Sequence, residues 1–326
     1  MNGFSAVSRR SQQRTSLTIV TPVFNESAGL PAYREAVDRT LFSRSDLDVS
    51  ILFVDDGSTD ASWQLIEQFA RDDRRMSGLR LSRNFGAHAA LAAGIERAGG
   101  AAVATLACDL QDPPETILEF VEQWRTGADI VWGIRRSRGE AAWRIMASGL
   151  FFRLIRRYAM PPDSQFTTGS FLLMDRRVVE CYRQFNEHSR VTFALVAWTG
   201  FDQARVSYDR TSRKTGASGW SFLRMMRTMY DTFIAFSDLP ARLITFLGLG
   251  VWFTTLLFSV YLIISWLAHA VLPGWTGIML ALMVFFGLLF LILGVFGQYL
   301  HRIYAESTRR PIYFVAKETP PGRDGP

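Results

Sequence analysis

The chain has 326 residues and a formal net charge of +6, and with lysine only at 214 and 317 its positive charge is almost entirely arginine. That length exceeds one small domain and accommodates a domain of ordinary size plus a further module. Two cysteines, Cys108 and Cys181, exclude a disulfide framework and a CxxC metal site. The basic balance suits phosphorylated substrates, anionic headgroups or nucleic acid without choosing among them.

Residues 1–16 are polar, carry Arg9, Arg10 and Arg14, and read as a disordered tail. A twin-arginine export signal is excluded because the next apolar stretch is short and broken by Pro22. Strands are expected at 17–20, 51–54 and 101–107, with amphipathic helical patterns at 29–41, 61–71 and 87–98. This alternation predicts an α/β domain over 17–220 with a doubly wound, mostly parallel sheet. Its functional residues should then lie beyond the strand C-termini.

The second half changes character. Residues 243–268 and 275–300 contain no charged side chain, and each would be about 39 Å long as a helix. Both are long enough for a hydrocarbon core of about 30 Å, so a two-helix transmembrane hairpin is expected over 243–300, turning near Pro273-Gly274. Arg224, Arg227 and Arg242 precede it, Arg302, Arg309 and Arg310 follow it, and the connector has no Lys or Arg. The positive-inside rule then places both termini, the α/β domain and the 301–326 tail on the cytoplasmic side of an inner membrane. Residues 221–242 open with a sharply amphipathic stretch, and 143–158 is a less clean one; both read as helices at a bilayer surface, with packing on the protein core as the alternative.

Chemistry concentrates after the strands. Thr21-Pro22-Val23-Phe24-Asn25-Glu26 follows the first, and Asp55-Asp56-Gly57-Ser58-Thr59-Asp60 follows the second, with Asp60 as a helix N-cap. A carboxylate at such a strand end can accept a nucleobase N–H, and capping alone does not require Asp56. After the third strand, Asp109 and Gln111 would project to one side of an extended chain, with Asp112 close by. These hard oxygen donors suit Mg²⁺ or Mn²⁺ completed by substrate phosphates. No Asp–His or Glu–His arrangement presents itself as a general base.

The ordered set TPVFNE, VDDGSTD, LSRNFGAHAALAAGI, DLQDPPE and VWGIRRSR, followed by RTSRKTGASGW and GQYLHRIYAES, resembles family-2, GT-A-fold glycosyltransferases of the polyprenyl-phosphate type. That group includes dolichyl-phosphate mannose synthases and bactoprenol glucosyl transferases, and the resemblance runs over residues 17–311. It implies transfer of one sugar, with inversion, from a nucleotide sugar such as UDP-glucose to polyprenyl phosphate. It also implies a lipid bilayer as partner, no nucleic acid, and self-association. By resemblance, Pro22, Phe24, Glu26, Asp56 and Arg83 line the nucleotide pocket, and Asp109 and Gln111 hold the metal. Arg135, Arg144 and Ser148 would meet the acceptor phosphate, and Arg213 would lie in a loop closing over donor and acceptor. Ala107 stands where the family often has the first Asp of a DxD pair, and Ala217 and Gly219 replace a frequent Glu and Lys. An inactive scaffold retaining the fold, and a transferase for another acceptor in polysaccharide synthesis, are the alternatives. The QxxRW string of processive synthases is absent from the sequence.

Overall fold

The computed structural model describes residues 14–136, 170–185, 187, 192–209, 274–308 and 310–319, with isolated positions between 246 and 264. The chain divides into two compact units, Met1–Thr232 with Pro311–Pro326, and Phe233–Arg310. In chain order the elements are β1 (Thr15–Val23), α1 (Leu30–Thr40), β2 (Leu47–Asp55), α2 (Ser62–Asp72), β3 (Met76–Leu81), α3 (Ala87–Arg97), β4 (Ala102–Thr105), α4 (Thr116–Arg125), β5 (Ile130–Arg135), β6 (Leu172–Asp175), α5 (Arg176–Tyr182), α6 (Thr192–Trp198), β7 (Gln203–Tyr208), α7 (Trp275–Ser307) and β8 (Val315–Glu318).

The first unit is built on one eight-stranded sheet in the order β7-β5-β6-β4-β1-β2-β3-β8. Strands β1, β2, β3 and β4 are mutually parallel, and β7 runs parallel to β5. Because β6 is antiparallel to both β4 and β5, those two also point the same way, and only β6 and β8 run against the rest. Six strand C-termini therefore open on one edge of the sheet. Sequential order reverses at β1, which lies between β4 and β2, and that is the crevice where an α/β sheet takes its ligand.

Apolar side chains on both faces of β1 explain why it reads as a continuous run. Leu17, Ile19 and Val23 join Tyr33, Val37, Phe53, Ile66 and Phe120 in the main core. On the other face, Val20 and Val54 meet α3. A Cβ at Gly94 would lie 2.3 Å from Val20 Cγ1 and 2.9 Å from Val54 Cγ2, so only glycine lets this alanine-rich helix sit so close. Strand β8, inside the segment read as a tail, closes the β3 edge. Thr319 accepts from Gly78 N at Oγ1 (2.7 Å) and donates its own N–H to Gly78 O (2.9 Å).

In the second unit α7 covers 33 residues. Among the described residues, no helix is long and apolar enough to cross a membrane. Residues 243–268 contribute only isolated described positions. The expected transmembrane hairpin is corrected accordingly, and with it the multi-pass inner-membrane location and the bilayer as partner. The stretches 143–158 and 221–242 lie outside the described residues.

Candidate active site

The turn after β1 and the turn after β2 are stitched to each other through backbone donors. Asn25, at φ 55°, donates its N–H to Ser58 Oγ (2.9 Å) and accepts Thr59 N–H at Oδ1 (2.8 Å). Glu26 N donates to Ser62 Oγ and Ser27 N to Asp60 Oδ2, both at 3.0 Å. Asp60 Oδ1 also accepts from Ser62 N (3.0 Å); the N-cap position of α2 is Ala61, so Asp60, expected as the cap, lies one residue before it and ties the first helical N–H to the β1 turn. Partial desolvation pushes the Asp60 carboxyl up, but its hydrogen bonds with Ser62 and Ser27 outweigh this and bring its pKa down to about 2.

The aspartate pair at the end of β2 is buried. Asp55 accepts from Ser58 N (3.1 Å) and pairs with Arg80 Nε (3.2 Å), whose Nη2 also donates to Ser58 O (2.9 Å). Asp56 takes Phe85 N on one oxygen (2.7 Å) and Gly86 N on the other (2.8 Å). Burial pushes both carboxyls above the ordinary range, and the backbone donors offset this only in part. Asp56 thus holds the turn between β3 and α3 against the end of β2. Gly57 makes that contact feasible: at φ +70° its ideal Cβ would stand 2.5 Å from the Arg83 carbonyl carbon. Arg83 is exposed, with its guanidinium 4.0 Å from the Phe85 ring centroid. Phe24 is exposed at the same sheet edge.

The loop after β4 lies beside these turns. Cys108 Sγ reaches Pro22 O (3.6 Å), and a Cβ on Gly29 would be 3.7 Å from both Cys108 O and Glu26 Oε2. The chain does not stay extended here: Leu110 has φ 52°, and Asp109 Oδ1 accepts Gln111 N (3.1 Å). Short Asx-type turns of this kind are characteristic of aspartate. Asp109 and Gln111 are half-buried, and among the described residues no group of three or more His, Cys, Asp or Glu gathers to hold a metal.

Asp112 is buried and accepts a 2.5 Å hydrogen bond from Tyr208 Oη, which in turn accepts from Arg135 Nε at 3.4 Å. Burial and the neighbouring Asp112 charge raise the phenol pKa, so it stays protonated and donates to the carboxylate. Tyr208 was not singled out from the sequence; its partner Asp112 lies 96 positions away, and no local pattern joins them. The sheet edge thus brings together Pro22, Phe24, Glu26, Asp56 and Arg83 from the β1, β2 and β3 ends with Asp109, Gln111 and Arg135 from the β4 and β5 ends. Arg144, Ser148 and Arg213 lie outside the described residues.

Residues 18–183 match the model of glycosyl transferase family 2. The chain belongs to that family. It is 36% identical to an uncharacterized glycosyltransferase of Synechocystis sp., over 92% of this chain and 94% of the other. It is 31% identical to the bactoprenol glucosyl transferase of Shigella phage SfV, over 93% and 98%. Among solved structures, mannosyl-3-phosphoglycerate synthase from Rubrobacter xylanophilus superposes with a TM-score of 0.50 at 16% identity, covering 74% of this chain and 78% of that one, a likeness of fold. The protein is a nucleotide-sugar-dependent glycosyltransferase of GT-A fold.

Proposed function

We propose that this glycosyltransferase moves one sugar, glucose foremost, from its UDP carrier to a polyprenyl phosphate. The observation that carries the reading is one sheet edge with two kinds of group on it. The Asp109–Gln111 turn offers hard oxygens next to the β1 turn, and Arg135 offers a cation at the end of β5. The similarity to a bactoprenol glucosyl transferase along nearly the whole chain supports the acceptor class.

The donor set fits a divalent ion that keeps phosphate and water ligands, Mg²⁺ or Mn²⁺, held by the Asp109 carboxylate and the Gln111 amide oxygen. When bound, such an ion would neutralise charge on the departing diphosphate. Phe24 would stack on the base, with Pro22, Glu26, Asp56 and Arg83 around it. Arg135, joined by Arg144, Ser148 and Arg213, would hold the acceptor phosphate. An acceptor oxygen attacks the anomeric carbon, forming the new C–O bond as the bond to the nucleoside diphosphate breaks on the opposite face. A phosphate monoester has its second pKa near 6, so the acceptor is already mostly dianionic at neutral pH and needs no protein base. The chain's task is to hold two anions in line, and arginine, with its planar fork of donors, suits it.

Purified chain given undecaprenyl phosphate and a panel of nucleotide sugars tests this, with mass spectrometry of the lipid product. A sugar-phosphate-polyprenol formed from one donor is the expected result. Turnover of a nucleotide sugar onto other acceptors, with none on the lipid phosphate, would reject the acceptor.

A further inference from the structure

The connection among Asp112, Tyr208 and Arg135 is more than a buried hydrogen bond. Asp112 sits one residue after Gln111, on the loop assigned above to the donor diphosphate. Arg135 and Tyr208 are paired residues at the ends of β5 and β7, in register across the parallel ladder. The phenol joins the two: it donates to Asp112 Oδ1 and accepts from Arg135 Nε. At 2.5 Å the bond to the carboxylate is short and charge-assisted, whereas the 3.4 Å contact to Arg135 is long. The anchoring end is therefore tight, and the arginine keeps some freedom.

The ring itself is held on two sides. Phe171 packs against it edge-on, with centroids 5.4 Å apart. Gly133, two residues before Arg135, leaves no room behind it, since a Cβ there would be 2.9 Å from Tyr208 Cε1. Neither the Phe171 contact nor the space at Gly133 depends on the hydroxyl, so the packing fixes where the oxygen goes without needing it for the core.

We propose that Tyr208 is a positioning residue that sets the spacing between the Asp109–Asp112 loop and Arg135, and so between donor diphosphate and acceptor phosphate. This rests on the reading of Arg135 as an acceptor-phosphate ligand. Tyr208 touches neither substrate in this account; it acts through its two neighbours.

The test is Tyr208→Phe in the full chain, which keeps the ring and removes the oxygen. With the donor that the panel identifies, kcat should fall about ten- to a hundred-fold, the cost of misplacing reacting groups by up to about 1 Å. The KM for the nucleotide sugar should stay within about twofold, because uniform donor binding is untouched. Backbone hydrogen exchange over residues 108–112 should speed up in the variant, a readout that needs no substrate. In a cycle with Arg135→Ala, the double variant should be no slower than Arg135→Ala alone. Unchanged kcat, unchanged exchange in the loop, or effects that multiply would each overturn the proposal. If Tyr208→Phe does not fold, Asp112→Asn takes its place in the same cycle with the same expectations. An Arg135→Ala chain with full activity would instead sink the acceptor-phosphate reading, whatever the exchange data show.

Discussion

Asp55, Asp56 and Asp60, after β2, give their oxygens to protein N–H groups and to Arg80, and the first two do so while buried. Asp109 and Gln111, after β4, are half-buried on a turn that Asp109 closes with one of its oxygens. Both are acidic strings at strand ends of the same sheet. The difference teaches that a carboxylate surrounded by backbone donors is part of the frame, while one on a short, half-buried turn stands partly open at the sheet edge. The first turn fixes where the β1, β2 and β3 ends stand relative to one another, and the second carries the proposed metal ligands. Changes in the first should register as stability, and changes in the second as turnover.

The largest effect expected in the frame is from Gly57→Ala. A residue with a Cβ must adopt φ +70° and also push into the Arg83 backbone, for a loss of about 3 kcal/mol or more. Chemical denaturation would show it as a lower midpoint with an unchanged slope; a midpoint within error of the parent would show that the turn is free to rearrange. Asp56→Asn is the next test. One oxygen becomes an NH₂ facing either Phe85 N or Gly86 N, and the stranded donor should lower stability by about 2 kcal/mol. A loss of nucleotide affinity at unchanged stability would show that Asp56 serves the base without carrying the frame.

The smallest effect concerns pH. A carboxyl whose folded-state pKa is depressed to about 2 contributes stability that is fully present above its unfolded value, near 3.9, and is lost as pH falls through the folded one. The parent and Asp60→Asn chains should therefore differ in unfolding midpoint at neutral pH and converge between about pH 4 and about pH 2. A difference that grew on acidification would contradict the hydrogen bonds drawn to Asp60.

The frame was largely legible in the sequence because its signals are local. Strands β1, β2 and β4 are short apolar runs, and α1, α2 and α3 carry helical periodicity, so each was expected near its observed place. Strand β3 was not expected, since Ser77, Gly78 and Arg80 break its apolar pattern, and β8 was not expected because Val-Ala-Lys-Glu has no local strand signature. Long-range partners stabilise β8, among them Thr319 against Gly78 and Tyr313 Oη against Glu96 (2.6 Å). The reading of 243–300 as a membrane hairpin came from two long charge-free runs flanked by arginines, and the described helices do not support it. In the site, residue type and resemblance pointed to Asp109, Gln111 and Arg135, whereas Tyr208 emerges only when β5 and β7 are laid side by side.

The division between frame and chemistry is tested most directly by Asp109→Asn, with Mn²⁺-dependent UDP binding and the denaturation midpoint measured on one preparation. The account predicts a midpoint within about 0.5 kcal/mol of the parent, as for a partly exposed polar substitution. It also predicts that Mn²⁺ no longer strengthens UDP binding. Mn²⁺-dependent UDP binding at parental strength would contradict it.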